Sequence, residues 1–215
     1  MTMQQTPLLM SRILGRGASL DPNVEVVTMM EEGAHRQTLE ATAKRSAMVA
    51  HALASHGVKV GDRIASFMWN NYRHLELYQA VPSMGCVLRT LNIRLSPHDL
   101  EYIINHAEDS VIFADEDLLP LLEPILDKIP TVKLLVIGRH GEGGESSFSN
   151  QIDYEDFITG CDTSYTWPEI DENSPMGLCY TSGTTGKPKG VMYTNRSTYL
   201  HTITCLLYTS PSPRD

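Results

Sequence analysis

Apolar positions along the first 140 residues follow two alternating rhythms. Short runs dense in apolar residues have strand length: VEVVTM (24–29), RIASFMW (63–69), VLRTLN (87–92), SVIFAD (110–115) and VKLLVIG (132–138). Longer stretches between them carry apolar residues at spacings of three and four. HRQTLEATAKRSAMVAHALASHGV (35–58) puts Leu39, Ala43, Ala47, Ala50 and Leu53 on one helical face, with Thr38 able to cap it, Glu40 nearby and Gly57 to stop it. A second helix is expected over about 72–84 despite Pro82. A third, SPHDLEYIINHAED (96–109), has Ser96 as N-cap and Pro97 at the first helical position. DLLPLLEPILDKI (117–129) reads as a fourth.

Strands alternating with helices imply parallel βαβ units, so the expected class is α/β, a parallel or mixed sheet with flanking helices. Ligands of such sheets sit at the carboxyl ends of the strands. GRHGEGGESSFSN (138–150) has no apolar period and is a loop. Residues 8–14 allow one or two amphipathic turns, expected to pack on their own domain rather than on a membrane. No internal repeat is apparent.

Charge narrows the partners. With 17 Lys and Arg against 26 Asp and Glu, the net charge is −9, without the broad positive field that nucleic acid or an anionic membrane requires. Four scattered cysteines without a CxxC pair fit a reducing compartment. The N-terminus lacks the pattern of a signal peptide, and no run of about 18 apolar residues is present. A cytoplasmic location is therefore expected. There is no HExxH pair and no GxSxG elbow. His98 and His106, eight apart on one helix, read as structural or surface groups. Cys179 reads as a core residue, as do Trp69, Tyr72, Leu75 and Tyr78 at helical spacing.

One stretch stands apart. YTSGTTGKPKG (180–190) joins two apolar runs, MGLCY (176–180) and GVMYT (190–194), which read as strands. It does not fit the phosphate loop GxxxxGK[ST]: only two residues separate Gly183 from Gly186-Lys187, and Pro188 follows the lysine. Its chemistry still suits phosphate. Gly183, Gly186 and Gly190 permit close backbone approach. Thr181, Ser182, Thr184 and Thr185 offer hydroxyl donors. Lys187 and Lys189 bring charge, and Pro188 stiffens the exit. Composition alone leaves a phosphate site and a polar flexible hairpin equally open.

The order of residues goes further. Ser182, Gly183, Thr184, Thr185, Gly186, Pro188, Lys189 and Gly190 match the signature of the adenylate-forming superfamily, which includes acyl-CoA synthetases. WNNYRHLELYQAVP, TLNIRL and IINHAED, within residues 57–109, resemble its fatty acyl-CoA ligase branch, and the resemblance runs from about residue 8 to residue 201. It implies a two-step reaction. ATP and a carboxylic acid give an acyl-adenylate and pyrophosphate; the thiol of coenzyme A then displaces AMP. It implies ATP, Mg²⁺, coenzyme A and a medium- or long-chain fatty acid as the small molecules handled. Thr181, Ser182, Gly183, Thr184, Thr185, Gly186 and Lys189 become the expected phosphate contacts, with Lys187, at a variable position, a solvated charge.

Two positions depart from the pattern: Arg89 in VLRTLN and Asn195 in TNRS stand where the related ligases usually have histidine. Asn195 can cap a helix starting near Arg196. The resemblance also sets a domain expectation: an arm over 1–20, part of an AMP-dependent synthetase domain over 21–207, a non-native tail YTSPSPRD over 208–215, and no counterpart of the small C-terminal domain that carries the catalytic lysine. On that expectation the chain is an inactive N-terminal part of a ligase. An adenylate-forming enzyme for an aryl or amino acid, and a non-catalytic phosphate-binding module, are the alternatives.

Overall fold

A computed structural model describes residues 5–30, 33–141, 146–181 and 187–209. Helix α1 (Met10–Leu20) is followed by the antiparallel hairpin β1 (Glu25–Met30) and β2 (Gly33–Thr38). Then come α2 (Leu39–Ser55), β3 (Arg63–Phe67), α3 (Tyr72–Ser83), β4 (Val87–Thr90), α4 (Pro97–Ala107) and β5 (Val111–Asp115). One turn of α-helix, α5 (Leu119–Leu122), lies between two 3₁₀ segments and leads to β6 (Leu134–Gly138). The order closes with β7 (Gln151–Asp153), α6 (Tyr154–Ile158), β8 (Pro175–Thr181), β9 (Lys189–Thr194) and α7 (Asn195–Thr209).

The main sheet has the order β7-β6-β5-β3-β4-β8-β9. All its pairs are parallel except β8 with β9. The expected mixed α/β fold is therefore the observed one. Alternation along the buried strands divides the core into two layers. Ile64, Val111, Phe113, Leu134 and Val136 face α2, α3 and α6. Ala65, Phe67, Ile112, Ala114, Leu135 and Ile137 face α4 and the α5 region. Because both faces are covered, these strands read as continuous apolar runs.

Local signals account for most element ends. Thr38 accepts from the Ala41 amide at the start of α2, and Ser96 from Asp99 at the start of α4 behind Pro97. Gly57, at φ +82°, turns the chain after α2. Two expectations are corrected. Residues 35–38 are not helical; they form the end of β2, paired with Glu25–Thr28, because hairpin pairing overrides local helix preference. The segment 117–129 is not one helix, since Pro120 and Pro124 remove amide donors and leave 3₁₀ turns. The stretch expected as a loop leads directly into β7 and α6, where no element was expected.

Residues 8–14 pack on the protein itself. Leu9 and Met10 are buried, and α1 lies against α2 and α3. Among the described residues no helix is long and apolar enough to cross a membrane.

Candidate functional site

The YTSGTTGKPKG stretch leaves the carboxyl end of β8 and returns as β9. In this antiparallel pair Tyr180 faces Gly190 and Thr181 faces Lys189. Two expected phosphate contacts, Thr181 and Lys189, thus stand opposite each other at the mouth of the hairpin, both exposed. The Thr181 hydroxyl points at the Lys189 carbonyl at 3.4 Å, a long and weak contact. Ser182, Gly183, Thr184, Thr185 and Gly186 lie outside the described residues. The β8 end of the hairpin shares the sheet edge with the carboxyl ends of β3 and β4, where parallel sheets present their ligand loops.

Both stems of the loop rest on α4. The Tyr180 hydroxyl is 2.7 Å from His106 Nδ1, and the two rings meet edge to face with centroids 5.8 Å apart. Burial pushes the Tyr180 phenol above its usual value, so it stays protonated. Lys187 Nζ lies 5.0 Å from the centre of the Tyr102 ring, one turn before His106. Lys187, expected to be a solvated charge, is exposed and also has an aromatic seat. His106, read as a surface or structural residue, is exposed yet engaged.

Under Tyr180 lies a buried ion pair. Arg89 and Asp109 have side chains 1% and 0% exposed. Arg89 Nε donates to both Asp109 oxygens, at 2.8 and 2.7 Å, and Nη2 donates to Oδ2. The guanidinium carbon is 5.3 Å from the centre of the Tyr180 ring. Arg89 Nη1 has no hydrogen-bond partner among the described residues. The arginine that replaces the usual histidine is thus a core cation balanced by an acid from the end of α4. No sequence signal joined positions 89, 109 and 180; only the fold does.

Asn195 is also reassigned. It is fully buried, accepts from the Met10 amide at 3.2 Å and donates to the Ser174 carbonyl at 3.3 Å. It ties α1 to the start of α7 rather than capping that helix. The exchange of hydrogen bonds between Thr194 and Ser197 does the capping. Cys179, expected in the core, is only partly buried, with its Sγ 3.8 Å from the Thr90 hydroxyl.

A second concavity, about 990 Å³, lies at the carboxyl ends of β3, β5 and β6. The chain runs from β3 outward to β4 on one side and from β5 to β6 on the other, so this is the switch point of the sheet. Buried Asp115, bonded to three of the lining residues, receives the Trp69 amide at 2.8 Å and both an Asn71 and a His140 nitrogen. Burial raises its carboxyl, the Trp69 amide and His140 opposing. Trp69 and Tyr78, expected in the core, are 48% and 39% exposed. The Trp69 indole donates to Asp117, and Arg73 is held by Glu155 and His140. The polar walls of this cleft are largely spent on one another. One strand, β4, separates it from β8.

Comparison with known proteins agrees with this architecture. The chain is 40% identical over 204 residues to a medium-chain-fatty-acid–CoA ligase of Ectopseudomonas oleovorans, covering 94% of this chain and 37% of the relative. It is 41% identical over 206 residues to a 3-methylmercaptopropionyl-CoA ligase of Ruegeria lacuscaerulensis, covering 94% of this chain and 38% of that one. It thus spans well under half the length of these relatives. The fold matches the crystal structure of an anthranilate CoA ligase in complex with anthranoyl-AMP, with a TM-score of 0.78 at 22% identity, over 90% of this chain and 36% of that one. The family model described as AMP-binding enzyme matches residues 16–214, from α1 through the loop and beyond, and the chain belongs to that family.

Proposed function

We propose that this chain contributes the polyphosphate-holding loop of an ATP-dependent acid–thiol ligase that activates a fatty acid as its adenylate and passes the acyl group to coenzyme A. The observation that carries the reading is the hairpin: a glycine- and hydroxyl-rich sequence with Thr181 and Lys189 in register at its mouth, on the ligand edge of the sheet. A carboxylate is a poor acyl donor, and adenylation gives it a leaving group. The task of the loop is to hold the β- and γ-phosphates so that the α-phosphorus faces the carboxylate. That is positioning and charge stabilisation rather than covalent chemistry. Lys189 supplies the charge, and Thr181 the first hydroxyl.

Mg²⁺ would come with the nucleotide, held chiefly by its phosphates. Among the described residues no three His, Cys, Asp or Glu side chains converge on one point. No step is therefore assigned to the ion, which accompanies nucleotide phosphates in many such enzymes. The phosphate loop alone gives the 215-residue chain weak ATP binding and no thioester formation. Acyl-CoA production by the purified chain would refute that part of the proposal.

The relative acting on 3-methylmercaptopropionate supports a second reading, in which the acid is short and carries a thioether. Acid-dependent ATP–pyrophosphate exchange separates the two, measured with octanoate and with 3-methylmercaptopropionate on this chain continued to the length of its relatives. The loop is tested in the chain itself by calorimetric titration with ATP and with pyrophosphate. Lys189→Ala is expected to weaken both by about tenfold or more, the worth of a hydrogen bond to a charged group. Equal affinities in wild type and variant would remove Lys189 from the site.

A further inference from the structure

The two ends of the loop converge on one helix that the phosphate chemistry does not require. Tyr180 is the penultimate residue of β8, and Lys187 stands two residues before β9. Tyr102 and His106, which receive them, are four apart and so share one face of α4. Their rings lie 5.4 Å apart, and the contacts form a continuous run from Lys187 through Tyr102 and His106 to Tyr180. The run ends on the buried Arg89–Asp109 pair beneath Tyr180, with Asp109 just beyond the end of α4.

Gly190 completes the arrangement. It is the cross-strand partner of Tyr180, and a Cβ at Gly190 would stand 3.4 Å from Tyr180 Cζ and 3.0 Å from Leu178 Cδ1. The bare strand therefore lets the Tyr180 ring lie across the hairpin and reach His106. A side chain at 190 would crowd Leu178 and stand against the Tyr180 ring. This gives the last glycine of YTSGTTGKPKG a physical role apart from contact with phosphate.

We propose that Tyr180 and His106 are positioning residues for the loop, and that Tyr102 seats its second stem through Lys187. The direction in which the chain leaves β8 is set by a phenol held on three sides: His106 at its hydroxyl, Arg89 at its face and Gly190 across the strand. The return is steadied by the cation on the Tyr102 ring. None of these groups reaches a reacting atom. They fix the frame on which the loop donors are presented, which lowers the ordering cost of binding an anion. The proposal rests on the polyphosphate reading only for its effect on affinity. The effect on backbone order stands apart from it.

The test compares wild type with Tyr180→Phe, His106→Ala, His106→Asn and, as a control on the same helix, His98→Ala, whose side chain is exposed. Two quantities are read: amide hydrogen exchange of peptides covering the two loop stems, and affinity for inorganic pyrophosphate. Tyr180→Phe and His106→Ala are expected to speed exchange in both stems and to weaken pyrophosphate by about two- to tenfold, the range of one neutral hydrogen bond. His98→Ala should leave both unchanged. Asparagine keeps a polar atom near the place of Nδ1, so His106→Asn should recover most of the loss, which a merely structural role for the ring would not produce. Unchanged stem exchange in Tyr180→Phe and His106→Ala, at a wild-type melting temperature, overturns the proposal. If wild type fails to bind pyrophosphate while exchange responds as expected, the polyphosphate reading falls and the positioning role remains.

Discussion

Single residues in this protein carry consequences that their identity alone does not announce. His74 is an example. It is 6% exposed, with Nδ1 3.1 Å from the Trp69 carbonyl and Nε2 3.0 Å from the Ser66 hydroxyl. The carbonyl can only accept, so Nδ1 carries the proton and Nε2 accepts from Ser66. Burial lowers the affinity of this imidazole for a second proton, the Trp69 carbonyl only partly opposing. In the unfolded chain the same group titrates near 6.5. As pH falls through that value the unfolded state takes up a proton that the native state refuses, so stability is lost downward from there. The melting temperature should fall between about pH 7.5 and pH 5.5, and His74→Gln should flatten the slope across that interval. An equal slope in the variant would place the acid sensitivity elsewhere. The same contrast holds for Arg89 and Asn195. Both were visible as departures from a pattern, but the Asp109 partner and the Met10 contact come from residues 20 and 185 positions away.

At the scale of elements, three helices and the small hairpin meet on one acid. Glu76 of α3 has a fully buried side chain that accepts from Arg45 of α2 at 2.7 Å, Gln37 of β2 at 3.1 Å and Tyr154 of α6 at 2.6 Å. Arg45 also grips Glu155 with two hydrogen bonds, at 2.9 and 3.0 Å, and these acids hold its guanidinium protonated against the opposing effect of burial. Tyr154→Phe removes one bond to a charged acceptor and should cost about 1.5–3 kcal/mol. Glu76→Ala leaves the Tyr154 hydroxyl without its acceptor and removes one partner each from Arg45, which keeps Glu155, and from Gln37, which keeps Thr42; it should cost about 3–5 kcal/mol. Urea unfolding with unchanged slope checks both, and a cost for Glu76→Ala no larger than that for Tyr154→Phe would contradict the network. Part of this scale was legible beforehand. The strands β3 to β6, and the caps Thr38 and Ser96, follow from periodicity and cap chemistry. The strand β2 was not legible, because HRQT has no alternation and becomes strand only by pairing with β1. Nor was α6, five residues long, which is set by Phe157 and Tyr154 filling the layer over Phe113. In the site, the loop was legible because its residues are contiguous. Its α4 seat was not, because Tyr102 and His106 look like any helical pair until β8 lies beside them.

The whole molecule is unevenly finished, and the unevenness lies next to the loop. Strands β3, β5 and β6 are sealed on both faces, whereas β9 ends the sheet and, among the described residues, pairs only with β8. Its Val191, Met192 and Tyr193 are 40%, 64% and 46% exposed, and Leu200 and Ile203 on α7 are similarly open. An apolar edge strand offers unpaired amides and carbonyls together with hydrophobic surface, the combination that pairs with another chain. The CoA ligase relatives are more than twice as long as the portion this chain matches, so their additional sequence is available to cover such an edge. In the 215-residue chain by itself the nearest equivalent cover is a second copy, edge to edge through β9. The chain is therefore expected to show concentration-dependent association in sedimentation velocity. Met192→Lys, which puts a charge on the edge without touching the β8 ladder, should shift it toward monomer. Association that persists unchanged in Met192→Lys would move the contact away from β9. Because Tyr180 and Lys189 lie on the same hairpin, pyrophosphate titrations across a range of protein concentrations also report whether edge pairing restrains the loop. Affinity that rises with association would mean that ordering β9 orders the site, and affinity independent of it would mean that the α4 seat suffices.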